Sequence, residues 1–161
     1  MDDFKRALQF VLWWEGGFVH HPADLGGPTN KGITQATYDA WRKARGQSPR
    51  PVREIEEKEV EQIYYDSYWL PWCPDLRWPF CLVAFDSFVQ FGVRGTALLW
   101  QPLAGVQVDG IWGRITQGRT LDLIQRKGPR WCALQLALAR VRYRATRVGQ
   151  NWSQRVFLAG W

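Results

Sequence analysis

Glu15, which two glycines follow, has the type and position of a general acid. An amphipathic helix is predicted before it by apolar residues at helical spacing, at Phe4, Leu8, Val11 and Leu12. Asp2 or Asp3 can cap that helix, and Gly16 ends it with the backbone open on one side. A carboxyl group there, behind Trp14, is partly desolvated, which raises its pKa as acid catalysis at neutral pH requires. Taken alone, Glu15 fits a solvent-exposed helix end equally well.

A second carboxylate and a hydroxyl follow within a glycine-rich stretch. Asp24 lies nine positions after Glu15, and Thr29 lies five positions after Asp24. The glycines and prolines of this stretch exclude a continuous helix, so the chain is predicted to fold back as a loop or short hairpin beside Glu15. Cleavage of a glycosidic bond requires this set of groups, since one acid protonates the leaving oxygen and a second group activates water or stabilises the oxocarbenium ion.

The run from Glu15 to Thr34 closely resembles the signature of the glycoside hydrolase family 108 muramidases, and more distantly that of the phage-type lysozymes. Family 108 includes phage endolysins and muramidases tied to bacterial secretion. The resemblance implies that Glu15 is the catalytic acid. It also implies that Asp24 is the assisting carboxylate and that Thr29 positions the water.

Three later runs extend the resemblance over nearly the whole chain. They are Phe85 to Gly92, Val108 to Thr116, and Phe157 to Trp161. The resemblance therefore implies a single lysozyme-like domain over residues 1–161. Residues 1–70 would form the half with the catalytic motif, and residues 71–161 a helical half that resembles the family's peptidoglycan-binding element.

Four further residues are candidates for contact with substrate: Trp14, Asn30, Thr34 and Gln90. Trp14 is a candidate because aromatic faces stack on sugar rings. The other three are polar residues of the family motifs, although Gln90 stands where asparagine is usual. Trp13, by contrast, is predicted to lie in the core, because large aromatic side chains dominate helical cores.

The fold is predicted to be mainly α, with a short loop or β-hairpin after the first helix. A central buried helix is indicated by the apolar positions from Phe80 to Phe91, and a separate short helix by residues 96–101 before Pro102. The glutamates of segment 53–68 are predicted to form a solvated face. In the last helix, residues 130–147, the side chains predicted to face the core are Leu134, Leu138, Val141 and Ala145. Those predicted to lie mostly in solvent are Arg140, Arg142, Arg144 and Arg147.

The net charge of +6 favours an anionic partner, which can be wall polymer, membrane or nucleic acid. The motif selects the wall, so we expect peptidoglycan glycan strands as partner, no nucleic acid and a monomer. No stretch reaches the roughly 18 apolar residues of a membrane span, and we expect no stable membrane insertion. An odd number of cysteines, three, without metal-ligand spacing argues against a disulfide framework or a zinc site. The adjacent His20 and His21 with one carboxylate form only a weak metal site, so we expect no cofactor and no metal.

The first helix differs from a secretion signal, because Asp2 and Asp3 are acidic and Glu15 interrupts the apolar run. We therefore expect synthesis in the cytoplasm and action on the wall after release through a holin or a secretion route. Hydrolysis of the β-1,4 bond between N-acetylmuramic acid and N-acetylglucosamine is the favoured function. A lytic transglycosylase and a non-catalytic wall-binding protein are the alternatives. If Asp24 and Thr29 hold a water opposite Glu15, the reaction inverts the anomeric centre.

Overall fold

The computed structural model describes residues 2–19 and 27–150, and these residues are mainly α-helical. Two short strands, β1 (Thr29–Asn30) and β2 (Ile33–Thr34), form a hairpin. The six α-helices within the described ranges are α1 (Asp3–Glu15), α2 (Gln35–Ala44), α3 (Glu57–Tyr64), α4 (Phe80–Ala104), α5 (Arg114–Lys127) and α6 (Pro129–Gln150). A 3₁₀ turn (Val52–Glu54) precedes α3 and a π-helical turn (Tyr65–Trp69) follows it. The predicted helical fold with a hairpin after the first helix is confirmed.

Helix α1 forms and ends as its sequence predicts. The Asp2 carboxylate accepts a hydrogen bond of 3.1 Å from the Phe4 N–H, which caps the first turn. One face of the helix is buried through Phe4, Ala7, Leu8 and Val11. Gly16 has φ of 71°, a value that favours glycine, and it ends the helix directly after Glu15.

The hairpin turns through two residues with positive φ, Lys31 at 49° and Gly32 at 76°. Such a two-residue turn matches the twist of paired strands, which explains why a hairpin of two-residue strands persists here. Thr29 lies opposite Thr34, and its backbone also pairs with Val19, which ties the hairpin to the chain leaving α1. At the end of β2, the Thr34 hydroxyl accepts from the Thr37 N–H and caps α2.

Helix α4 lies at the centre of the fold and packs against α1, α5 and α6. The expected short helix at 96–101 is wrong in extent, because α4 continues through Pro102 to Ala104 after a kink at Gly92. The mean hydropathy of its most apolar 18-residue window is 1.2, so α4 is long and apolar enough to cross a membrane by length and composition. The expectation from the sequence was that no stretch would do so. In this structure α4 carries much of the core, including Phe80, Phe85, Phe88 and Trp100.

The predicted inward face of α6 is wrong. Leu134, Leu138 and Val141 are exposed, at 56%, 38% and 62%, and Ala145 is exposed too. The buried face instead carries Cys132, Ala133, Leu136, Arg144 and Val148, and the Arg140 side chain is 11% exposed. Of the four arginines placed in solvent, only Arg142 and Arg147 are there. Trp13, predicted in the core, is 82% exposed.

The acidic segment before Tyr68 does not form a uniformly solvated face, because Glu59 is 6% exposed. Its carboxylate accepts hydrogen bonds from the Tyr38 hydroxyl and from Arg42, both at 2.6 Å, and it also pairs with Arg50. Glu59 is thus the centre of a buried ion cluster that joins α2 to α3. Sequence periodicity missed it because the partners lie on another helix and on a loop.

Candidate active site

The carboxyl group of Glu15 lies against the hairpin turn. A Cβ atom placed on Gly32 would be 2.7 Å from Glu15 Oε2 and 2.6 Å from the Tyr64 hydroxyl oxygen. Any side chain at Gly32 would therefore displace both groups. The Tyr64 hydroxyl donates to the Lys31 carbonyl at 2.9 Å, which anchors the same turn. The end of α1, the hairpin turn and the end of α3 together fix the position of Glu15.

The environment of Glu15 favours its protonated form. Burial raises the pKa of the Glu15 carboxyl, and the negative charge of Asp86 raises it further. Burial, and secondly the charge of Glu15, raise the pKa values of Tyr64 and Tyr68, so both phenols stay neutral. Within residues 2–19 and 27–150, no cation pairs with Glu15.

A polar network that includes the buried Asp86 joins α4 to α6 beside Glu15. Asp86, which is 4% exposed, pairs with Arg140 at 2.5 Å between Oδ2 and Nη2. The Gln90 amide donates to Asp86 Oδ1 at 2.8 Å, and its carbonyl oxygen accepts a hydrogen bond from Arg144. The guanidinium groups of Arg140 and Arg144 also lie over the Phe91 ring, at 5.6 and 5.0 Å from its centroid. The network fixes both arginines against α4.

Glu15 and two members of this network, Gln90 and Arg144, face one open cleft of about 860 Å³, a volume within the range of ligand pockets. Helix α1 contributes Trp14 and Glu15 to the cleft. The rest of the lining comes from α4 and α6: Val89, Gln90, Phe91, Gly95, Leu98, Leu99, Tyr143, Arg144 and Arg147. Trp14 is 60% exposed, so its ring is available to a bound molecule. The cleft therefore combines one partly buried acid, exposed aromatic and apolar surface, and two arginines.

The structure brings together three of the predicted site residues, Trp14, Glu15 and Gln90. Thr29 lies in the hairpin that packs on Glu15, and its hydroxyl donates to the Gly27 carbonyl at 3.4 Å. Asn30 donates to the carbonyls of Val52 and Arg53, and Thr34 caps α2. The side chains of Asn30 and Thr34 thus hold local structure here, and their contact with substrate stays a prediction.

Asp24, His20 and His21 lie outside the described residues. The predicted roles of Asp24 as assisting carboxylate and of Thr29 as water-positioning residue therefore stay predictions. Among residues 2–19 and 27–150, no group of three or more His, Cys, Asp or Glu side chains is placed to hold a metal ion. The three cysteines are buried as free thiols, at Cys73, Cys81 and Cys132.

Sequence reasoning missed Asp86, Arg140, Arg144 and Tyr64. A usable signal was present, because Asp86 and Gln90 are four residues apart, as are Arg140 and Arg144. This spacing puts each pair on one face of its helix. A carboxylate on the most apolar helix requires a basic partner, and α6 is the helix that carries arginines at the matching interval. Nothing in the sequence indicated that Tyr64 lies beside Glu15.

Comparison with known proteins gives one similar solved structure and one matching family model. A solved structure, SagA of Brucella abortus, is similar to this chain with a TM-score of 0.70 and 28% sequence identity, over 96% of this chain and 89% of that one. A search of curated proteins gave no match. The model of the family described as glycosyl hydrolase 108 matches residues 8–92, which include Glu15, the hairpin and Asp86. This match spans more than half of the chain and confirms the resemblance, so the protein belongs to glycosyl hydrolase family 108.

Proposed function

We propose that this glycoside hydrolase acts on peptidoglycan as an N-acetylmuramidase, with Glu15 as general acid. One observation carries the proposal. Glu15 is a cleft carboxyl group whose pKa is raised by burial and by Asp86, in a site whose described residues give it no cationic partner. A raised pKa favours the protonated form of a carboxyl group, which is the form that protonation of a glycosidic oxygen requires.

The proposed reaction is hydrolysis of the β-1,4 bond between N-acetylmuramic acid and N-acetylglucosamine. The Glu15 carboxyl gives its proton to the glycosidic oxygen as the C1–O bond breaks and positive charge develops on the muramyl ring. Asp24 takes a proton from a water that Thr29 positions, and this water attacks C1 from the opposite face, which inverts the anomeric centre. The hairpin supports this arrangement, because its backbone places Thr29 in the strand next to the Gly32 turn that contacts Glu15.

Substitution of Glu15 by Gln tests the proposal. Gln keeps the size of the side chain and loses the transferable proton, and acid catalysis is typically worth about 10²–10⁴-fold. We expect Glu15→Gln to reduce lysis of permeabilised Gram-negative cells, followed by turbidity, to near background while the protein remains folded. Glu54→Gln is the matched control, because Glu54 is exposed and does not line the cleft. Wild-type lysis by folded Glu15→Gln would reject the assignment.

Mass spectrometry of the products separates hydrolysis from the two alternatives. A muramidase yields fragments that end in reducing N-acetylmuramic acid, whereas a lytic transglycosylase yields 1,6-anhydro-muramyl ends. A non-catalytic wall-binding protein yields neither, and it would bind sacculi equally well with and without the Glu15 carboxyl group.

A further inference from the structure

The part of the cleft formed by α4 and α6 differs in chemistry from the part at Glu15. Its floor is apolar and includes Phe91 and Leu98, of which Leu98 is 39% exposed. Arg144 and Arg147 form its edge, one helical turn apart and thus on one side of α6. Among the described lining residues, Glu15 is the only carboxylate. Arg144 and Arg147 therefore bring two positive charges to a lining in which one described residue is acidic.

The two arginines differ in how they are held. Arg144 is 9% exposed and fixed in the wall, with a hydrogen bond to Gln90 and its guanidinium over Phe91. Arg147 is exposed, and in the described part of the chain no acidic group pairs with it. Arg144 thus contributes a fixed charge, and Arg147 contributes donors that a bound molecule can reach. An uncharged sugar chain has no group that matches such a pair.

We propose that Arg144 and Arg147 form a subsite for the carboxylates of the stem peptide that muramic acid carries, so that the enzyme recognises peptide-substituted glycan. This inference rests on the proposed function and names the part of the substrate that reaches the α6 side of the cleft. Arginine suits the role because its planar guanidinium matches a carboxylate. The apolar floor suits the methyl groups of the N-acetyl, lactyl and alanyl units that lie beside those carboxylates.

The test compares Arg147→Gln with Arg142→Gln. Both substitutions remove one positive charge from an exposed position of α6, but Arg142 does not line the cleft. The substrates are isolated glycan strands with their stem peptides, and the same strands after carbodiimide coupling to methylamine, which neutralises their carboxylates. All assays contain about 0.3 M salt, which screens long-range attraction between enzyme and strand, since the Debye length is already about 10 Å at 0.1 M.

On the charged strands, we expect Arg147→Gln to lower kcat/KM about three- to tenfold, mainly through KM, as loss of one charge-assisted contact predicts. Arg142→Gln should stay within about twofold of the wild type, and Arg147→Lys should recover part of the loss. Neutralisation should slow the wild type by at least as much as the Arg147→Gln substitution does.

Two results would overturn the subsite. One is equal cleavage of charged and neutralised strands by the wild type, and the other is an Arg147→Gln enzyme as fast as the wild type on charged strands. Strands stripped of peptide by an amidase retain the lactyl carboxylate. A loss in Arg147→Gln of the same size on these strands would assign the contact to that group and also overturn the stem-peptide proposal. Failure of the proposed function would look different, because the wild type would then cleave no strand or would leave 1,6-anhydro-muramyl ends.

Discussion

Glu15 and Glu59 are both withdrawn from water, but their surroundings push their pKa values in opposite directions. Burial by itself raises the pKa of either carboxyl group. At Glu59, hydrogen bonds from Tyr38 and the Glu56 backbone, and the charges of Arg50 and Arg42, reverse that effect and lower the pKa. At Glu15, the nearby Asp86 charge adds to the effect of burial. The comparison shows that burial of a carboxyl group does not by itself leave its pKa raised in this protein, and that the uncompensated burial of Glu15 beside an open cleft suits the general-acid role proposed for it.

The largest effect expected from this comparison concerns a methyl group added in each region. Gly32 and Gly46 both have positive φ, at 76° and 67°, so alanine strains the backbone at either position by about 1–2 kcal/mol. Only at Gly32 would the new Cβ meet Glu15 and Tyr64, since nothing lies within 4 Å of it at Gly46. We expect Gly32→Ala to lower kcat by about 10²-fold, as a displacement of about 1 Å can.

Gly46→Ala is the matched control. We expect it to lose only the unfolding free energy that backbone strain costs, which is no more than Gly32→Ala loses, and to keep a kcat within about twofold of the wild type. Urea denaturation and steady-state kinetics on glycan strands measure the two quantities separately. Equal kinetic losses in both variants would mean that general backbone strain, rather than the position of Glu15, limits the rate.

Much of this fold follows from local sequence patterns. The cap at Asp2, the helix end at Glu15, the cap at Thr34 and the apolar stripe on α4 each depend on a few neighbouring residues. Within the site, Glu15 was predicted for the same reason, because its helix and the glycines after it are contiguous. The hairpin followed from the same glycine-rich composition, although its register depends on the positive φ values at Lys31 and Gly32.

The orientation of α6 could not be predicted in this way. Its apolar stripe, which includes Leu134 and Val141, points to solvent, while Arg140 and Arg144 face inward. Hydrophobic periodicity assigns apolar side chains to the core, but a buried carboxylate without a cation is far more costly than an exposed leucine. The need of the buried Asp86 carboxylate for a cationic partner therefore favours the observed orientation of α6. This pairing becomes visible only when the two helices are placed together.

A second prediction separates the two regions by the pH dependence of activity. Glu15 must be protonated to act, so activity falls as the pH rises through its pKa. Asp86→Asn removes a negative charge that raises this pKa, so the alkaline limb of the kcat/KM profile should move to lower pH and the rate at neutral pH should drop. Burial remains in the variant, and it still keeps the pKa of Glu15 above its ordinary value.

Glu59→Gln is the control for this prediction. Like Asp86→Asn, it removes a buried carboxylate that pairs with arginine, but it does so in the region away from the cleft. Glu59 pairs with Arg42 and Arg50. We expect it to lower the free energy of unfolding while the alkaline limb keeps its position. An unmoved limb in Asp86→Asn, or an equal movement in Glu59→Gln, would show that Asp86 does not act on the Glu15 proton.

The smallest expected effect distinguishes two adjacent tryptophans of α1 that are both exposed. Trp14, at 60% exposure, lines the cleft, whereas Trp13, at 82%, does not. An aromatic contact is worth about 0.5–1.5 kcal/mol, which corresponds to about a two- to tenfold change in binding. Trp14→Ala should therefore raise KM for short glycans by that factor with kcat nearly unchanged, and Trp13→Ala should change neither. Since both substitutions remove the same side chain from the same helix, a difference between them can come only from position relative to the cleft. Equal KM values in the two variants would mean that the Trp14 ring does not contact the glycan, and the sugar would then be held by the α4 and α6 side chains.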